Sequence, residues 1–137
     1  MPTDRISRLL QEMPAQVYSA HGPDALSRGQ WATLRYLRTA RQDMRTIGAI
    51  AAHLQMTQAP ASRTVASLAR RNLISVTTDI NDARRAFLTL TARGEALLAS
   101  DPIHKLEMII AELPADSRQS LSAALTSIHE GLRDSHA

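Results

Sequence analysis

Apolar residues recur at helical spacing over the first stretch of the chain, where Ile6, Leu9, Leu10, Met13 and Val17 share one face. Pro14 stands inside that pattern and predicts a kink or two short helices. His21-Gly22-Pro23 should then stop the helix, with Gly for a left-handed cap and Pro just beyond. A second helix is expected from Ser27. Ser27-Arg28-Gly29-Gln30 fits a capping box, and Trp31, Leu34 and Leu37 give the apolar stripe. Arg41-Gln42-Asp43-Met44-Arg45 reads as a polar connection. Two short helices follow. Thr46 can cap the first, which carries Ile47, Ile50, Ala51 and Leu54 at positions i, i+3, i+4 and i+7. Thr57 can cap the second, with Pro60 in its first turn, where a missing amide hydrogen costs little. Ala61, Val65 and Leu68 face inward, and Asn72 can supply the left-handed residue at its end.

The period then changes from helical to two. Ile74, Val76 and Thr78 alternate with Ser75 and Thr77, and Ala86, Leu88 and Leu90 alternate with Phe87 and Thr89. Two such runs around the polar tip Asp79–Arg85 predict a β-hairpin with a projecting turn. Beyond it the helical period returns. Thr91 can cap a helix with Leu97 and Leu98, and Asp101-Pro102 either kinks or restarts it. Leu106, Ile109, Ile110 and Leu113 continue an apolar stripe. Pro114 opens a last helix with Leu121, Ala124, Leu125, Ile128 and Leu132 on one face.

Two short capped helices in close succession, with a hairpin directly after them, make a winged helix-turn-helix. The predicted fold is therefore mainly α with a small β-hairpin wing. The expected organisation is a winged lobe over residues 27–94, flanked by dimerisation helices over 1–26 and 95–137. The lobe has its own core, so the stripes at both chain ends need another surface, which a second copy supplies. Leu9, Leu10, Leu121, Leu125, Ile128 and Leu132 are the expected interface.

Composition narrows the function. The chain has 137 residues, 44% of them hydrophobic, enough for one domain with a core. It has no cysteine, which excludes disulfides, thiolate metal sites and a cysteine nucleophile. No run approaches the roughly 20 apolar residues of a bilayer span, and the first residues lack a signal-peptide block, so a cytoplasmic protein without a membrane partner is expected. Aromatic residues are only 3%, too few for a platform on which single-stranded bases stack. The net charge is +3, and Lys105 is the one lysine among 16 basic residues. Arg63, Arg70, Arg71, Arg84, Arg85 and Arg93 crowd the middle of the chain, opposed there by Asp79 and Asp82. A basic centre points to a polyanion.

These charges fall where a DNA reader needs them. The second short helix carries Thr57, Gln58, Pro60, Ser62 and Arg63 near its amino end, the end that such motifs insert into the major groove. Gln pairs two-fold with adenine and Arg with guanine, while Ser and Thr meet bases or phosphates. The hairpin adds Asp82, Arg84 and Arg85 on an arm suited to the narrow, negative minor groove. Thr46, Arg70 and Arg71 are candidate phosphate contacts. Trp31, Arg35 and His104 are candidates for an effector pocket that would take a small aromatic or anionic ligand. His104 and Glu107 stand at i, i+3, yet His21, His53, His129 and His136 show no ligand spacing, so no metal and no obligate cofactor is expected. No nucleophile elbow, phosphate loop or paired-carboxylate motif appears, so no enzyme activity is expected.

Two stretches resemble the multiple antibiotic resistance regulators, the MarR family. Thr57-Gln58-Ala59-Pro60-Ala61-Ser62-Arg63 through Leu68-Ala69-Arg70-Arg71-Asn72-Leu73-Ile74 is similar to the family's Ser-Gln-Pro-x-x-Ser-Arg pattern closing in Arg-x-Gly-Leu-Ile. Asp82-Ala83-Arg84 through Leu88-Thr89-Leu90-Thr91-Ala92-Arg93-Gly94 is similar to its D-x-R-x-x-x-L-x-L-T-x-x-G. The resemblance runs from about Ser27 to Leu132. It implies a homodimeric transcription regulator, commonly a repressor released by a small ligand, with Arg84 as the wing arginine and Asp82 as its orienting partner. Asn81 stands where many members have a basic residue, Asn72 replaces the usual glycine, and Ala59-Pro60 alters the early recognition turn. The competing expectations are a winged helix used only to bind proteins, and a metal-responsive regulator.

Overall fold

The computed structural model describes residues 2–20 and 25–136. The stop expected at His21-Gly22-Pro23 lies outside them. The chain divides into two compact units, Met1–Asp101 and Pro102–Ala137. The first unit is wider than the expected lobe of residues 27–94. Leu98 and Asp101, past the expected boundary, are both buried within it.

In the first unit, α1 runs over Thr3–Val17 as one helix with Pro14 inside it, so of the two expected alternatives the division into two short helices does not occur. Pro14 lacks only one donor, and its own carbonyl accepts from the Tyr18 amide at 2.9 Å, which keeps the last turn closed. Helix α2 (Arg28–Thr39) opens on the expected capping box. The Gln30 amide donates to Ser27 Oγ, and the Ser27 amide donates to Gln30 Oε1. The polar connection forms a 3₁₀ turn at Gln42–Met44.

Helices α3 (Ile47–His53) and α4 (Gln58–Arg70) form the helix-turn-helix. Thr46 caps α3 through the Ala49 amide. Thr57 occupies the N-cap of α4 but its side chain accepts no capping bond, a correction to the expectation. Both helices end in the same way. Met56 N–H reaches Ala51 O and Gln55 N–H reaches Ala52 O after α3, while Leu73 N–H reaches Leu68 O and Asn72 N–H reaches Ala69 O after α4. This is the Schellman pattern, which needs a left-handed residue just past the cap. Asn72 takes that conformation at φ 59°, as expected, and Gln55 takes it at φ 54°, which the sequence did not signal.

Strands β1 (Ile74–Thr78) and β2 (Ala86–Leu90) pair antiparallel, with Ile74 opposite Leu90 and Val76 opposite Leu88. The alternation is as expected, but the two strands are covered unequally. Ile74 and Leu88 are buried while Val76, directly opposite Leu88, is half-exposed. The other edge of β2 is also occupied, since the Leu88 amide donates to the Arg45 carbonyl at 2.8 Å. Thr91 then joins wing and helices. Its hydroxyl donates to Asn72 O at 2.7 Å and accepts from the Gly94 amide at 3.0 Å, capping α5 (Ala92–Leu97). A 3₁₀ turn, Leu98–Ser100, completes the unit. Its core gathers Trp31, Leu34, Leu37, Ile50, Val65, Leu68, Leu73, Ile74, Leu88 and Leu98.

In the second unit, α6 (Ile103–Ala111) starts with Pro102 at its N-cap, so Asp101-Pro102 restarts the helix rather than kinking it. Helix α7 (Ala115–Asp134) follows, with Pro114 at its N-cap. Among the described residues, no helix is long and apolar enough to cross a membrane.

Candidate nucleic-acid interface

Helix α4 has two faces. Ala61, Val65 and Leu68 are buried, which fixes the opposite face outward. Ala59, Arg63, Ala66 and Arg70 are exposed along it at spacings of four, three and four, and Gln58 is exposed at the amino end. Pro60 and Ser62 are half-buried at its sides. Arg63 makes no ion pair among the described residues, so its charge is available to a ligand. The exposed methyls of Ala59 and Ala66, which flank Arg63, were not anticipated. Short residues there let a groove wall come close, and a methyl can meet thymine's methyl.

The helix is held in place from its inner side. Gln30, already part of the α2 capping box, uses its amide nitrogen to donate to Ser67 Oγ on α4 at 2.9 Å. One side chain thus finishes the start of α2 and fixes the middle of α4. Thr46, expected near phosphate, spends its oxygen on the α3 cap, and its hydroxyl hydrogen remains a possible donor. Arg70 and Arg71 lie at the carboxyl end of α4, about 18 Å along the helix axis from Gln58 at 1.5 Å per residue. The structure therefore does not bring them to the reading end.

The wing tip orders its charges through aspartates. Asp82 Oδ1 accepts from the Arg84 amide at 3.0 Å and from Arg84 Nε at 3.3 Å. Arg84 is otherwise bare, its side chain 93% exposed against 42% for Asp82. An ion pair this exposed adds little stability, so its effect is on direction. Arg85 differs from its neighbour. Its guanidinium lies 5.1 Å from the Phe87 ring centroid and donates to the Asp43 carbonyl at 3.4 Å. It braces the wing against the 3₁₀ turn, which makes it a support for the arm that carries Arg84.

The residues expected to line an effector pocket are otherwise engaged. Trp31 is buried in the core at 7% exposure. Arg35 is clamped by Asp101 through Nε and, at 2.9 Å, through Nη2, and it also donates to the Tyr18 hydroxyl at 2.9 Å. Burial alone would lower the Arg35 pKa, but the bonds to Asp101 and Tyr18 outweigh it and the pKa lies above its ordinary value. His104 belongs to the second unit, where its Nδ1 lies 3.8 Å from Glu107. Among the described residues, no three His, Cys, Asp or Glu cluster as a metal site would need.

At both chain ends, apolar side chains stand in solvent. Leu9 on α1 and Leu121, Leu125, Ile128 and Leu132 on α7 are exposed, and Leu10 is half-buried.

A model of the MarR family matches residues 26–85. The structure is similar to that of Staphylococcus aureus MepR in a complex with DNA, at 24% identity and a TM-score of 0.79, covering 96% of this chain and 98% of that one. It is similar to MepR described as a transcription regulator of the S. aureus multidrug efflux pump MepA, at 25% identity and a TM-score of 0.70, covering 96% and 99%. The PcaV transcriptional regulator of Streptomyces coelicolor, in complex with its natural ligand, is similar at 19% identity and a TM-score of 0.73, covering 93% and 92%. No curated protein gives a sequence match.

Proposed function

We propose that the chain is a winged helix-turn-helix regulator of the MarR type, a sequence-specific DNA-binding transcription regulator, a reading supported by the family match over residues 26–85 and the similarity to MepR. It works in the cytoplasm, without catalysis, as a homodimer on a near-palindromic operator. The observation that carries this reading is the outer face of α4, where Gln58 and Arg63 are exposed beside small residues and Arg63 has no ion pair among the described residues. A winged helix that only bound proteins would present apolar or acidic residues there.

In the complex, the amino end of α4 enters the major groove, where Arg63 pairs with guanine and Gln58 with adenine. Arg84 enters the adjacent minor groove, aimed by Asp82, while Arg85 holds the wing from behind. The exposed stripes of α1 and α7 meet those of a second copy, whose two-fold axis sets the operator's symmetry. We read the regulator as a repressor that answers to a small aromatic or anionic ligand. A carboxylate reaching Arg35 would have to displace Asp101, so ligand binding there would release Asp101 from its clamp.

The test is enrichment of duplexes from random DNA by the full chain, followed by binding measurements. The expected product is an inverted repeat with half-site centres about 10 bp apart or a multiple of that. Arg63→Ala should lose roughly 1–3 kcal/mol on the enriched duplex and much less on random DNA. Equal losses on both would reduce Arg63 to a phosphate contact. Enrichment of no sequence would overturn the reading.

A further inference from the structure

The wing tip carries one side chain that the fold leaves bare. Ile80 is 98% exposed, in a tip otherwise made of Asp79, Asn81, Asp82, Ala83, Arg84 and Arg85. Turn geometry favours Gly, Pro, Asn, Asp and Ser, so a branched apolar residue at this tip is not there for the turn itself.

The backbone around it is pinned. The Asp79 amide donates to the Arg85 carbonyl at 2.8 Å and closes the neck of the tip. The Asn81 amide donates to Asp79 Oδ1 at 2.9 Å, bridging across Ile80. Three residues later the same bond recurs between the Arg84 amide and Asp82 Oδ1. Two aspartate-closed turns in tandem thus present one apolar and one cationic side chain from a single tip. Each aspartate spends an oxygen on a backbone amide, which tempers its repulsion of phosphate.

The geometry points to Ile80 as an apolar wedge for the minor groove of duplex DNA, entering near Arg84 and opening one base step. This rests on the DNA-binding reading above and adds a second mode of selection to it. The groove's negative potential draws in Arg84, and the tip must bring Ile80 with it. The groove walls are deoxyribose C–H and its floor is base edges. A branched apolar side chain has no hydrogen bond to offer there, so its gain is displaced water and contact with an opened step. Flexible pyrimidine–purine steps open most cheaply, so the protein selects them by deformability, without a polar contact to the bases.

The experiment compares the full wild-type chain with Ile80→Ala, Ile80→Met and Arg84→Ala on a duplex enriched by the wild type, with 2-aminopurine placed at steps under the wing. At 98% exposure none of the Ile80 changes should alter the melting temperature. Wild type and Ile80→Met should brighten the probe at a TA or CA step. Ile80→Ala should not, and should bind about tenfold more weakly, as loss of most of a buried isoleucine's contact would give. Its slope of log affinity against log salt should match the wild type, because no charge is lost, whereas Arg84→Ala should flatten that slope. If Ile80→Ala equals the wild type in affinity, probe signal and step preference on a duplex the wild type binds tightly, the wedge is overturned and the DNA-binding reading stands. If the wild type enriches no duplex, the DNA-binding reading fails first.

Discussion

A Cβ built on Gly94 would fall 2.1 Å from the carbonyl oxygen of Leu73. The first turn of α5 thus lies directly on the backbone that leads from α4 into β1. The same carbonyl accepts from the Thr91 amide at 3.1 Å, so neither side can yield without breaking a bond. Gly94→Ala should cost about 2–3 kcal/mol, at the upper end of ordinary overpacking, measured by urea unfolding at fixed chain concentration. An unchanged midpoint would mean that α5 shifts freely on the wing root.

Gln55 and Asn72 both hold the left-handed conformation past a helix end, but glutamine is the poorer fit. Gln55→Gly relieves that strain and gives back part of the gain as unfolded-chain entropy. The net should be about 0.5–1 kcal/mol of added stability, with a smaller gain for Asn72→Gly. A loss of stability in Gln55→Gly would show that its side chain holds the turn.

Asp82 should help DNA binding although its charge is wrong for DNA. Arg84→Ala should weaken the complex and lower the salt slope by about one. Asp82→Ala should weaken it too, and the double variant should be little worse than Arg84→Ala alone. Tighter binding by Asp82→Ala in a fluorescence titration would reduce the aspartate to a repulsive charge.

Asp101 is 3% exposed and holds Arg35 with both oxygens. Asp101→Asn keeps the shape, removes the charge and turns one acceptor into a donor that faces the guanidinium. The expected cost is about 2 kcal/mol by thermal or urea unfolding, the range for hydrogen bonds to charged groups. A variant as stable as the wild type would make the clamp dispensable to folding.

The exposed stripe of α7 predicts a dimer in sedimentation at micromolar concentration. Leu125→Asp should dissociate it by placing a charge in an apolar contact. A monomeric wild type that unfolds cooperatively would remove the interface from both chain ends.

The features readable from sequence were those set by neighbours along the chain. Ser27 with Gln30, the caps at Thr46 and Thr91, the left-handed Asn72 and the hairpin phase all depend on residues a few positions apart. The reading face of α4 followed from Ala61, Val65 and Leu68 by periodicity alone. What escaped was set by distance in sequence. Gln30 meets Ser67, Arg35 meets Asp101, and Arg45 meets Leu88, pairs that no local pattern announces. Gln55 escaped because nothing in Ala52-His53-Leu54-Gln55-Met56 is a turn signal, although the local bonds of Gln55 and Met56 back to Ala52 and Ala51 hold it there. Arg85 was read with Arg84 because they are adjacent, yet the strand sends one to solvent and the other onto Phe87.

The bond from the Leu88 amide to the Arg45 carbonyl ties the outer edge of the wing to the residue just before the α3 cap. Wing and helix-turn-helix are therefore stitched into one reading head. On the DNA-binding reading proposed above, a shift that lifts α4 from the major groove would carry Arg84 out of the minor groove in the same movement. In a dimer, each half-site would then be engaged or released as a whole, and a small change in the separation of the two heads would leave the operator either fully read or not read at all.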